Sequence, residues 1–153
     1  MNEPCHSYEL YIRTTPAALW EALTSSELTP RYFMGLSVQS DWNPGTPVRQ
    51  VRKDGVLWNE GIVLDVVPPT KLVTTFQTTS PEGADDPPSR LAWLLEPLGE
   101  VTKLTLVHDR FGAETATYRM VDSGWPVVLS ALKTLLESGR TLPVPASSPF
   151  ENV

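Results

Sequence analysis

The chain has 153 residues, enough for one domain with a single core. Eighteen acidic against twelve basic side chains leave a net charge of -6, and no basic run or basic helix face is present, which argues against non-specific binding of nucleic acid or anionic membranes. Cys5 is alone, so an internal disulfide is excluded, and one Cys with two His is too few for a structural zinc site.

The opening residues lack the charged and apolar regions of a signal peptide, and no apolar stretch approaches the roughly twenty residues of a membrane span. With a lone cysteine, the expected setting is a reducing cytoplasm.

His6 to Arg13 alternates, with Tyr8, Leu10 and Ile12 on one face and Glu9, Tyr11 and Arg13 on the other, which predicts a strand. Thr14-Thr15-Pro16 then supplies an N-cap and a proline for the first helical position. The helix that follows presents Leu19, Trp20 and Leu23, and Trp20 is expected to wedge it against the sheet edge. Ser25-Ser26-Glu27 interrupts it, and Leu28 to Phe33 predicts a second short helical turn.

From Ser37 to Asp109 the pattern is a meander. Val38 to Trp42 reads as a short strand, followed by a turn at Asn43-Pro44-Gly45. Val48 to Lys53 and Leu57 to Val67 flank Asp54-Gly55, a hairpin signal. Pro68-Pro69 breaks the chain before Lys71 to Thr78. Ser80 to Pro88 reads as a polar, mobile loop. Arg90 to Glu96 and Val101 to Asp109 form a last hairpin around Leu98-Gly99-Glu100. Short connections between consecutive strands imply an antiparallel sheet. Its inner face should carry Leu72, Thr74 and Phe76, then Leu91, Trp93 and Leu95, then Leu104, Leu106 and His108. The strand of Trp58 reads in either register: Trp58, Ile62, Leu64 and Val66 make the more apolar face, and Gly61 and Val63 the other. Gly61 itself reads as a bulge or a close approach.

Ala113 to Val121 fits either a short helix or an extended lead-in. Ser123 to Gly139 is the strongest helix, with Trp125, Val128, Leu129, Leu132, Leu135 and Leu136 in one apolar stripe. Asp122 or Ser123 caps its predicted start, Pro126 falls in its first turn, and Gly139 can end it in the left-handed conformation. The proline- and serine-containing stretch from Thr141 has no periodicity. The expected organisation is one domain over residues 1–140 and a disordered tail over 141–153.

These elements predict an α+β fold: a curved antiparallel sheet of about six or seven strands wrapped around the long terminal helix, with two short helices after the first strand. A sheet gripping one helix often leaves a cavity between them. The motifs Thr15-Pro16…Leu19-Trp20-Glu21-Ala22-Leu23-Thr24, Ser40-Asp41-Trp42-Asn43-Pro44-Gly45 and Gly61-Ile62-Val63-Leu64-Asp65-Val66-Val67-Pro68-Pro69 resemble those of the activator-of-Hsp90-ATPase-homologue proteins. So do Thr102-Lys103-Leu104-Thr105-Leu106-Val107-His108 and Gly124-Trp125-Pro126…Leu136-Glu137, so the resemblance runs from about Tyr8 to Gly139. Tyr32-Phe33 departs from it, since the family usually has a tryptophan before the phenylalanine. The resemblance implies the helix-grip fold of the START/Bet v 1-like (SRPBCC) superfamily, which encloses an apolar ligand cavity.

On that fold the expected cavity-lining residues are Trp42, Leu72, Phe76, Trp93 and Leu106, together with His108, Tyr118, Trp125, Leu129 and Leu132. His108 and Tyr118 are the polar candidates. An imidazole among leucines could hydrogen-bond a ligand or act as a general base, or be a buried histidine satisfied by its neighbours. No Ser and Asp converge on it in the sequence to complete a triad. Asp85-Asp86 reads as a solvated acidic pair, without further carboxylates to build a metal site.

The leading expectation is non-enzymatic binding of a small hydrophobic molecule, aromatic or lipid-like, without cofactor or metal. The resemblance implies a second: a stress-response, co-chaperone-like interaction protein whose partner is a chaperone or a second copy of the chain. A third is an enzyme of the cyclase or dehydratase type found in the wider superfamily.

Overall fold

The computed structural model describes residues 3–143, and the predicted tail falls, from residue 144 on, outside the described residues. Thr15 caps the first helix as the sequence requires: its hydroxyl accepts the Ala18 N–H at 3.1 Å, and Pro16 occupies the first position, where no donor is missed. This helix, α1 (Pro16–Thr24), follows strand β1 (His6–Ile12) and buries Leu19, Ala22 and Leu23. A single 3-10 turn, Thr29–Arg31, comes next. The Tyr32 hydroxyl donates to the Ala22 carbonyl at 2.8 Å and Thr29 Oγ1 accepts the Val38 N–H at 2.9 Å, which ties α1, the turn and the following strand into one unit.

The meander comprises β2 (Ser37–Ser40), β3 (Pro47–Val51), β4 (Leu57–Val67), β5 (Lys71–Thr78), β6 (Ser89–Leu98) and β7 (Val101–Asp109). The described strands form one seven-stranded antiparallel sheet in the order β1-β7-β6-β5-β4-β3-β2. The long helix α2 (Ala116–Ser138) packs on its inner face, giving the expected helix-grip arrangement. Leu72, Leu91, Trp93, Leu95, Leu104 and Leu106 face the core, joined by Phe111, which is fully buried just beyond β7. Each such side chain contributes about 1.5–3 kcal/mol on burial.

Two features depart from the sequence reading. First, α2 begins at Ala116, not near Ser123, so Pro126 lies in mid-helix. Thr115 Oγ1 accepts the Tyr118 N–H at 3.1 Å, and Asp86, 31 residues away, accepts from the Thr117 N–H at 2.9 Å and the Thr117 hydroxyl at 2.7 Å. A carboxylate at this end also meets the positive pole of the helix. Asp86 is thus half-buried and engaged instead of merely solvated, and the loop of residues 80–88 is anchored through it. Pro126 is tolerated because it faces solvent, where the carbonyl left without its N–H, that of exposed Asp122, can be hydrated.

Second, β4 has no single alternation. The pairing Gln50↔Asn59 gives way to Val51↔Leu57, and Val63↔Thr74 gives way to Asp65↔Val73, so Trp58 and Leu64 are each an extra residue on β4. Asn59, Gly61 and Val63 point inward, while Ile62 and Leu64 are 40% and 46% exposed. Gly61 is a close approach: a Cβ there would lie 1.8 Å from the Thr75 carbonyl oxygen.

Candidate ligand-binding cavity

His108 is fully buried on β7 and both of its ring nitrogens are engaged. Trp125 Nε1–H donates to Nδ1 at 3.0 Å, which leaves the ring proton on Nε2. That proton is donated to Ser89 Oγ at 2.7 Å, and the Ser89 hydroxyl donates to the Phe76 carbonyl at 3.2 Å. Phe76, Phe111 and Trp125 surround the ring. Burial, and secondarily the nearby His6, push its pKa down to about 3, so it is neutral at physiological pH. The chain from Trp125 to Phe76 fastens α2 to β5, β6 and β7.

Tyr118 lies elsewhere. It stacks on His6 at 4.2 Å and meets Phe111 edge-on, and its carbonyl is hydrogen-bonded by His6 Nε2 at 2.9 Å. These contacts join α2 to β1. Beneath the middle of α2, Trp125 packs edge-on against Trp93 and Phe33, each at 5.6 Å, and fills the space expected to be open.

The interior cavity is instead displaced toward β2–β6 and the segment from Leu23 to Phe33. It has a volume of about 50 Å³ and is partly open to solvent. Phe33, Trp42, Leu72, Phe76, Leu91 and Trp93 form its apolar walls, and Gln50, Asn59 and Thr74 supply polar groups. A smaller hollow of about 20 Å³ lies against α2 between Trp58, Met120, Gly124 and Trp125. Phe33, Asn59 and Phe76 border both.

Of the residues expected from sequence, the structure brings Trp42, Leu72, Phe76 and Trp93 to the larger cavity, and Phe76 and Trp125 to the smaller. Leu106, His108, Tyr118, Leu129 and Leu132 line neither: Leu106, Leu129 and Leu132 are spent on core packing, His108 on its neighbours and Tyr118 on β1. The sequence places Thr74 on the inner face without marking it as cavity lining, and it singles out none of Gln50, Asn59 and Phe33. Alternation from Val48 does place Gln50 inward, and that was the available signal.

Among the described residues no Asp, Glu, Lys, Arg or His lines the larger cavity. The ionisable side chain that does line it, Tyr32, is held protonated by burial and donates to the Ala22 carbonyl. Trp42 stands at the rim with φ +58°, a left-handed backbone that costs an indole-bearing residue about 1 kcal/mol, and its N–H is taken up by Ser40 Oγ at 3.0 Å. It also borders a polar depression on the outside, with Gln39, Asp41 and Arg49. Among the described residues no group of three or more His, Cys, Asp or Glu could hold a metal, and no helix is long and apolar enough to cross a membrane.

Residues 13–137 match the family described as activator of Hsp90 ATPase homolog 1-like protein. The chain belongs to that family. Similar solved structures agree on the fold. CalU16 from Micromonospora echinospora is 20% identical, with a TM-score of 0.72 over 95% of this chain and 80% of its own. The Aha1 dimer of Colwellia psychrerythraea is 19% identical, with a TM-score of 0.70 over 88% and 97%. PFC0360w, an HSP90 activator from Plasmodium falciparum, is 17% identical, with a TM-score of 0.71 over 86% and 95%. No curated protein matches the chain.

Proposed function

We propose that the protein binds a small, mainly apolar, neutral molecule in the cavity between the Tyr32–Phe33 segment and the inner faces of β3–β6, without transforming it. The carrying observation is the cavity itself: aromatic and leucine walls, a few convergent polar groups and, among the described residues, no charge. The engagement of both His108 nitrogens supports a non-catalytic reading, because the buried imidazole has neither a lone pair nor a proton to spare. A volume of about 50 Å³ admits roughly three to five water-sized groups. A ligand therefore enters by a small head or short chain, and a longer one requires Phe33 to turn and join the two hollows. The proposed setting is the cytoplasm, where exposed Cys5 stays reduced.

Methyl NMR tests this with a series of neutral four- to eight-carbon alcohols and ketones. Saturable shifts are expected at Leu23, Val38, Val48, Leu72 and Leu91, extending to Met120, Val121 and Val128 only for compounds long enough to reach the smaller hollow. Absence of any shift there up to the solubility limits would overturn the proposal.

A second reading, a protein acting on an Hsp90-type chaperone, is supported by the family and by the Hsp90 activator among the similar structures. Its test is the ATPase rate of such a chaperone at stoichiometric protein. Stimulation supports this reading, and an unchanged rate removes it.

A further inference from the structure

Within the cavity, Gln50 on β3 and Asn59 on β4 are cross-strand partners, 9% and 6% exposed. Asn59 Nδ2–H donates to Gln50 Oε1 at 2.6 Å. That bond uses one polar atom of each carboxamide. The others, Gln50 Nε2 and Asn59 Oδ1, make no hydrogen bond to a described residue, nor does Thr74 Oγ1. Among the described residues no fully shielded side-chain N or O lacks a partner, so these three atoms keep some accessible surface, and all three residues line the cavity. The pair thus presents a donor and an acceptor side by side to an apolar-walled space. Exchanging O and N in both amides leaves the same bond between them and again one donor and one acceptor, so the pattern does not depend on amide orientation.

Resting on the reading above, we propose that the Gln50–Asn59 pair recognises a neutral carboxamide or lactam group at the head of the ligand, with the apolar remainder lying along Phe33, Phe76 and Trp93. An amide offers C=O and N–H on neighbouring atoms, the complement of what the two side chains present. A carboxylate fits less well: it carries no donor for Asn59 Oδ1, and no cation among the described residues lines the cavity to offset its desolvation. An acceptor-only ketone leaves Asn59 Oδ1 unpaired once water is displaced.

The test compares hexanamide, its methyl isostere heptan-2-one and hexanoate by NMR titration of the full chain at pH 7. Hexanamide should bind at least tenfold more tightly than either, with selective shifts of the Gln50 and Asn59 side-chain NH₂ signals. Gln50→Met, close to isosteric, should lower hexanamide affinity to that of heptan-2-one. Equal affinities for hexanamide and heptan-2-one would overturn the amide proposal while leaving the cavity reading intact, as would an unchanged Gln50→Met. If no compound moves the Leu72 and Leu91 methyls, both fail. The NH₂ shifts in the unmodified protein decide the matter even if Gln50→Met does not fold.

Discussion

The His108 latch makes a sharp prediction about acid sensitivity. In the unfolded chain the imidazole titrates near 6.5, whereas in the folded protein its pKa is pushed down to about 3. Below pH 6.5 the unfolded state therefore binds a proton that the native state refuses. The stability held at neutral pH is lost as pH falls from 6.5 toward 3, at about 1.4 kcal/mol per pH unit. Integrated from pH 7 to pH 4.5, the loss is about 2.5 kcal/mol. His108→Gln cannot titrate, so it is less stable than wild type at pH 7, where it loses an interlocked hydrogen-bond pair, but lacks this component of acid sensitivity. Urea unfolding of both proteins at pH 7.0, 5.5 and 4.5 measures the difference, since groups common to both cancel. The stability gap should shrink by about 2.5 kcal/mol across that range. Parallel losses in the two proteins would refute the assignment of a neutral, saturated histidine.

Other substitutions probe the framework around the cavity. Gly61→Ala places a methyl group 1.8 Å from the Thr75 carbonyl oxygen and must part β4 from β5, so it should cost about 3 kcal/mol in urea unfolding. A change within about 0.5 kcal/mol would show that the strands separate freely. Asp86→Ala removes two bonds at the start of α2; a loss of about 1–2 kcal/mol is expected, with faster hydrogen exchange at the Thr117 amide. Pro126→Ala restores a donor to the Asp122 carbonyl on an exposed helix face and should stabilise by about 2 kcal/mol, read as a raised Tm.

Much of the framework is legible in the sequence because its signals are local. Thr15-Pro16 starts α1, the Leu104–His108 alternation sets the inner face of β7, and Gly139 ends α2 with φ +74°. The start of α2 is less legible. Proline is at home in a first turn, and the competing start is fixed partly by Asp86, a partner remote in sequence. The two bulges defeat the period-two rule on β4: neither uniform register describes a strand that points Asn59, Gly61 and Val63 inward and then shifts at Leu64.

The candidate site is harder still, since a cavity is what side chains fail to fill. The stripe on α2 shows that Trp125 faces the sheet, but not that it fills the centre and displaces the open space toward Gln50 and Asn59. Alternation can place Gln50 inward, but only the pairing Gln50↔Asn59 reveals that each amide partly satisfies the other inside.

The most direct measurement is a crystal structure of the protein soaked in hexanamide at a concentration that saturates the NMR response. The account predicts ligand density bounded by Phe33, Trp42, Leu72, Phe76 and Trp93, with the Phe33 ring turned toward the smaller hollow if the chain extends that far. A cavity holding only water, with the ligand on the exposed Ile62–Leu64 face of the sheet, would contradict it.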